Sequence, residues 1–268
     1  MSGIKLVISD VDGTLITPDH QITARTFRTV QHLSSAGIGF TVASSRPPRG
    51  LEAIVVSLQI ALPVASFNGA MLVSNNQTIL ENHLLPQAVI SRVYELSRAY
   101  PLDFWVYRGF DWFADRRSPH LEREEQTVGF SAVVVEKIEE YFQGVTKLTL
   151  VGECEVAERC QHQILQELGL ELEATRSQPR FIDITVKGAG KGSVVTNLSR
   201  KLNTPAECIG VIGDGPNDIE MFVRAGLSIA MGNGAEQVKK AARFVTSTNL
   251  AEGFADGIEK YILNQAEG

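Results

Sequence analysis

The stretch Val7-Ile8-Ser9-Asp10-Val11-Asp12-Gly13-Thr14-Leu15 carries an apolar strand into two carboxylates, a glycine and a threonine. Strand side chains alternate with period two, so Asp10 and Asp12 are expected on one face, about 7 Å apart. Gly13 and Thr14 are expected to turn the backbone and offer N–H groups to an anion. Two carboxylates so close repel unless a cation lies between them. The pattern points to a hard metal ion and an anionic substrate, with one Asp attacking and the other moving a proton. Asp-x-Asp is also ordinary turn chemistry, so the reading depends on what the rest of the chain places beside it.

Outward from this segment, strands and helices alternate. Residues 22–35 have helical spacing, with Ile22, Thr26, Val30 and Leu33 on one side and Thr23 as N-cap. Strands are expected at 39–43 and 64–67, with a helix at 47–58 between them. This β-α-β-α-β order implies a parallel sheet with right-handed crossovers. A hairpin at 70–80 follows. The character then changes: helices at 86–98 and 156–168 alternate with strands at 102–107, 111–114, 146–151, 171–175 and 181–186. That order suits an antiparallel sheet with helices on one face. Residues 117–144 carry no clear pattern. From Gly190 the parallel pattern resumes, with strands at 208–213, 227–231 and 244–246. The fold class is therefore α/β. A Rossmann-like parallel-sheet core is split into 1–83 and 188–268, and an α+β domain of antiparallel sheet and helices is inserted at 84–187.

The 268 residues are 44% hydrophobic and 21% charged, with a net charge of −6 and no Lys/Arg-rich run. That composition excludes a disordered chain and argues against a nucleic-acid partner. No apolar run is long enough to span a membrane and the start has no signal-peptide shape. A cytoplasmic protein is expected, monomer or homodimer. Cys154, Cys160 and Cys208 fit neither a disulfide framework nor a metal knuckle, and Cys208 reads as a small core residue.

In open α/β sheets, ligands sit beyond the carboxyl ends of the strands. Those ends supply Asp10 and Asp12, then Ser44, Ser45 and Arg46, then Asn68 and Gly69, and finally Gly213-Asp214-Gly215-Pro216-Asn217-Asp218, with Lys191 opening a nearby helix. Each alone is ordinary, since Asp-Gly-Pro-Asn is a good turn and Asp218 a good first-turn residue. Together, Asp10-Val11-Asp12-Gly13-Thr14, Ser44, Lys191 and Gly213-Asp214-x-x-Asn217-Asp218 resemble the four motifs of the haloacid dehalogenase superfamily. The large late insertion resembles the C2B cap of its Cof-type members, a cap shared by mannosylphosphoglycerate phosphatases, sucrose phosphatases and phosphomannomutases. The commonest second motif of that group reads Ala-Thr-Gly-Arg-Pro, whereas this chain has Ala43-Ser44-Ser45-Arg46-Pro47.

The resemblance implies a Mg²⁺-dependent phosphatase acting on a small phosphorylated metabolite: a sugar phosphate, a phosphoglycerate ester or a phosphoglycolate-type acid. It implies Asp10 as nucleophile, forming an aspartyl-phosphate, and Asp12 as general acid and base. It implies metal ligation by the Asp10 and Asp214 carboxylates and the Asp12 carbonyl, with Asp218 acting directly or through water. Ser44, Lys191 and Asn217 would hold the phosphoryl group, with Gly13, Ser45 and Gly69 lining the site. Candidate readers of the leaving group are Arg46 and Asn68 from the core and Trp105, Tyr107, Arg180 and Asp183 from the insertion. The aromatic residues read first as sheet packing. An acidic leaving group would need a basic pocket, for which Arg108, Arg116, Arg117 and Arg180 are available. A phosphotransferase or mutase using the same Asp10 is the alternative, followed by a non-catalytic binding protein.

Overall fold

The protein is described by a computed structural model covering residues 3–265. Its first strand, Leu6–Ser9, is an interior strand of a five-stranded parallel sheet. The spatial order is Phe244–Val245, Leu227–Ala230, Ile209–Gly213, Leu6–Ser9, Gly39–Val42. Alternation along each strand builds two cores. Val7, Val42, Ile212 and Ile229 face the helices Ala24–Ser35 and Gly253–Tyr261. Leu6, Ile8, Ile209 and Val211 face the helices Lys191–Lys201 and Ile219–Arg224. A sheet buried on both faces needs strands apolar at every position, which is why these strands read as continuous runs rather than as alternation. The first helix starts where its cap predicts, with the Thr23 hydroxyl accepting the Thr26 amide.

Residues Val64–Ser66 form a strand, but not a member of this sheet. They pair antiparallel with Met71–Val73, which pairs with Ile79–Asn82, and only a bridge from Ala43 to Ala65 joins them to the parallel sheet. The expected third parallel strand is thus the start of a small three-stranded sheet. The helix expected at 47–58 is split into a 3₁₀ turn, Pro48–Leu51, and a short helix, Glu52–Ser57, and Gly50 within the turn lowers helix propensity there.

Between Gln87 and Val186 the chain builds a six-stranded sheet in the order Leu172–Thr175, Phe181–Val186, Lys147–Val151, Asp103–Arg108, Asp111–Ala114, Val133–Val134. All its pairs are antiparallel except the last. Alternation again assigns the faces. Phe104, Val106, Leu148, Leu150, Ile182 and Ile184 pack under the helices Gln87–Ser97 and Cys154–Leu168. Trp105, Tyr107, Lys147, Thr149 and Asp183 lie at the intervening positions, on the face turned to the parallel domain. The unpatterned region contains the helix Pro119–Val128, capped by Ser118, whose hydroxyl accepts the Leu121 amide. Cys208 is buried and all three cysteines are free. No described helix is long and apolar enough to cross a membrane.

Candidate active site

Strand pairing stops at Ser9, one residue before the first carboxylate. The Asp10 amide still reaches the Ile212 carbonyl at 2.9 Å, then the chain turns so that Thr14, Leu15 and Ile16 all donate to the Val11 carbonyl. One expectation changes here: Thr14 N–H is used by the turn and is not free for an anion. The carboxylates of Asp10 and Asp12 bind different partners, Lys191 and Arg46.

Asp10 is buried and accepts from Lys191 Nζ, which also donates to Asp218 Oδ1 at 2.7 Å. Lys191 opens its helix, where the macrodipole disfavours a cation. Two carboxylates therefore hold it there, and they keep it protonated despite burial. Asp218 is engaged at both oxygens, since its Oδ2 accepts the amides of Asp214 and Gly215 at 3.0 and 2.9 Å and braces the loop. Asp214 accepts the Thr14 hydroxyl at 3.0 Å and the Asn233 amide at 3.2 Å. Gly13 lies at φ +80°, and a Cβ there would stand 2.3 Å from Asp214 Oδ2, so only glycine lets the loop pass.

Carboxylate oxygens of Asp10, Asp214 and Asp218 lie within 4.8 Å of one another. Burial pushes the Asp10 carboxyl well above the usual carboxylate range against the pull of Lys191, with Asp218 and Asp214 adding to the rise. Burial, then Asp218, raises Asp214 to about 6. An all-oxygen set whose members resist ionising together fits a hard divalent cation, whose charge reverses that resistance.

On the far side of this cluster the Ser44 hydroxyl accepts the Arg46 amide at 3.1 Å, and the Ser44 carbonyl accepts the Asn68 amide at 2.8 Å. Phe67, Asn68 and Gly69 are consecutive left-handed residues at φ 51°, 57° and 96°. For Phe67 and Asn68 that costs about 1–2 kcal/mol each. Gly69 lets the loop approach the Lys191 helix, because a Cβ there would meet Val194 at 2.7 Å. The strained loop sets Asn68 Oδ1 to accept from Asn217 Nδ2 at 3.0 Å. Nothing in the sequence signals Phe67, a bulky residue where turn chemistry favours Gly or Asn.

Asp12 receives Arg46 bidentately, at 2.8 and 2.6 Å. Arg46, expected to read the leaving group, is buried with its fork occupied by Asp12 and the Gly50 carbonyl. Above this pair a cavity of about 20 Å³ separates the two sheets, with Ser45, Tyr107, Glu124, Lys147 and Asp183 in its wall. Asp183 is where alternation with Ile182 and Ile184 puts it. Its Oδ1 accepts from Lys147 Nζ at 2.7 Å and from Thr149 at 3.0 Å, while its Oδ2 is buried with no partner among the described residues. Lys147 also donates to the Ser45 carbonyl at 3.0 Å and lies over Phe67 and Tyr107, tying the two sheets together. Trp105 packs edge-on against Trp112 and Phe181 rather than lining the cavity, and Arg180 turns outward to Glu153.

Lys147, Thr149 and Glu124 were not singled out by the sequence. The signal was present for the first two, since Lys147-Leu148-Thr149-Leu150 alternates as Ile182-Asp183-Ile184 does. Glu124 lies on the same helix side as buried Leu121 and Val128. Burial first, offset by Lys147, raises its carboxyl from 4.5 to about 7. Between those values the unfolded chain ionises and the folded one does not, so stability falls as pH rises. At about 1.4 kcal/mol per unit the group removes roughly 3 kcal/mol. Glu124→Gln should match wild type near pH 4.5 and exceed it at pH 8, as read by urea unfolding across pH. A constant separation at every pH would contradict this origin.

A family model described as haloacid dehalogenase-like hydrolase matches residues 7–258. A Bacillus subtilis relative, 5-amino-6-(5-phospho-D-ribitylamino)uracil phosphatase YcsE, is 26% identical, with 97% of this chain and 96% of that protein covered. A Yersinia pestis HMP-PP phosphatase is 27% identical over 88% of this chain and 86% of its own. Among solved structures, a haloacid dehalogenase-like hydrolase from Bacteroides thetaiotaomicron superposes with a TM-score of 0.86 at 27% identity, covering 96% of this chain and 99% of that one.

Proposed function

Because the chain belongs to the haloacid dehalogenase-like hydrolases, we propose that it is a Mg²⁺-dependent phosphatase of a small phosphorylated metabolite, working through an aspartyl-phosphate on Asp10. The supporting observation is the convergence of Asp10, Asp214 and Asp218 around Lys191 at the carboxyl ends of adjacent strands. The named relatives act on small phosphorylated compounds.

Asp10 attacks phosphorus in line, and its burial keeps bulk water from competing. Asp12, oriented by the Arg46 fork, protonates the leaving alkoxide and then takes a proton from the attacking water. Lys191 and the Ser44 hydroxyl compensate charge on the phosphoryl oxygens, and Asn217, steadied by Asn68, donates beside them. Asp10, Asp214 and the Asp12 carbonyl would hold Mg²⁺, with Asp218 acting directly or through water while its Oδ2 braces the loop. Bound Mg²⁺ neutralises the charge between an anionic nucleophile and an anionic ester. Residues 84–187 serve as a cap. Its cavity holds about one water, so the cap opens to admit substrate and closes to exclude solvent.

The test is phosphate release from p-nitrophenyl phosphate and a panel of phosphorylated metabolites, with Mg²⁺ and with EDTA. Release that EDTA abolishes and Mg²⁺ restores is expected. EDTA-resistant release would sink the metal assignment. An isomerised phosphate ester in place of free phosphate would make the protein a mutase.

A further inference from the structure

Resting on this phosphatase reading, we infer that the cavity above Asp12 selects a neutral, hydroxyl-bearing leaving group and rejects one with a second carboxylate or phosphate, with Asp183 the acceptor that reads the hydroxyl. Three observations carry this. First, Asp183 Oδ2 is a buried acceptor in the cavity wall with no partner among the described residues, and a ligand hydroxyl supplies the missing donor. Lys147 and Thr149 both bond Oδ1 and so fix the carboxylate in place.

Second, the wall carries two cations against three acids. Arg46 is spent on Asp12 and Lys147 on Asp183, leaving Glu124 as the unmatched acid. A further anion on the leaving group would enter a site with no free countercharge. The burial that raises the Glu124 carboxyl acts in the same direction. Third, the arginines that an acid-binding cap would need are used elsewhere. Arg116 pairs with Asp103, Arg117 with Glu125 and Arg180 with Glu153, Arg108 lies over the Phe113 ring, and none of the four lines the cavity. The remaining wall groups include Ser45, Thr149 and Gln178, neutral partners suited to further hydroxyls.

Matched substrate pairs test the inference: glycerol 3-phosphate against 3-phosphoglycerate, and glucose 6-phosphate against 6-phosphogluconate, each as kcat/KM with Mg²⁺. The alcohol or sugar should be preferred at least about tenfold in each pair, since a polar site rejects ligands that leave its groups mismatched. Asp183→Asn replaces an acceptor by an amide that also donates. It should narrow the ratio, chiefly by raising KM for the neutral member. An unchanged ratio in a folded Asp183→Asn protein would remove Asp183 from the role. The wild-type ratio decides the charge rule whether or not that variant folds. Equal or better turnover of the acids, with p-nitrophenyl phosphate also hydrolysed, overturns this inference alone. Failure to hydrolyse even p-nitrophenyl phosphate overturns the phosphatase reading beneath it.

Discussion

Asp10→Asn should lower phosphate release by about 10⁵-fold or more, the scale of losing a covalent nucleophile, while the protein stays folded. The amide keeps the shape of the carboxylate but cannot form an acyl phosphate. The fold tolerates the change because Lys191 retains Asp218 as a charged partner. Burial and the neighbouring acids already oppose ionisation of Asp10, so neutralising it costs the metal-free protein little. The metal response should separate the two forms. Mg²⁺ that binds only the folded wild type raises its melting temperature with concentration, and the rise should shrink in Asp10→Asn. Single-turnover phosphate release together with thermal unfolding in a Mg²⁺ series checks both statements. Appreciable release by the variant would mean that Asp10 is not the attacking group.

The parallel core was legible because its strands, buried on two faces, are written as mostly apolar runs, and the turns after them carry Gly, Asp, Ser or Asn. The metal-type cluster was legible for the same reason: Asp10 and Asp214 follow neighbouring strands. Geometry that depends on where the backbone turns was not. The Val11 carbonyl captures three amides, the Thr14 amide among them, and no residue type announces that. The strand at Val64–Ser66 is apolar enough for the parallel sheet, yet its tight return to Met71–Val73 recruits it into another. Opposite the core, Asp183 followed from simple alternation. Lys147 and Glu124 follow from the same periodicities, but a lysine in a strand and a glutamate on a helix are normally solvated. Only the closing of one sheet over the other buries Lys147 and half-buries Glu124.

Lys191→Met should be the most destabilising single change in the site and should also cut turnover about 10²–10³-fold. Two effects of opposite sign compete. Removing a cation from the first turn of a helix relieves an unfavourable dipole contact worth about 0.3–1 kcal/mol. Removing it from between buried Asp10 and Asp218 leaves uncompensated acids, which typically costs about 3–5 kcal/mol. The second wins, and its pH dependence identifies it. Without Lys191 the Asp10 and Asp214 carboxyls, both already raised, resist ionising in the folded protein more strongly than before, so their folded pKa values rise further above the unfolded ones. Stability is then lost as pH climbs from the unfolded carboxylate range, about 4, through those raised values. The gap to wild type should be small near pH 4 and full at pH 8. Added Mg²⁺ supplies positive charge to the same oxygens and should narrow the gap at pH 8 without restoring turnover, since the phosphoryl contact of Lys191 is still missing. Urea unfolding at both pH values, with and without Mg²⁺, reads this out. A gap insensitive to both would mean that Lys191 acts through packing of its alkyl chain, which methionine replaces, and not through the charge it holds between the two aspartates.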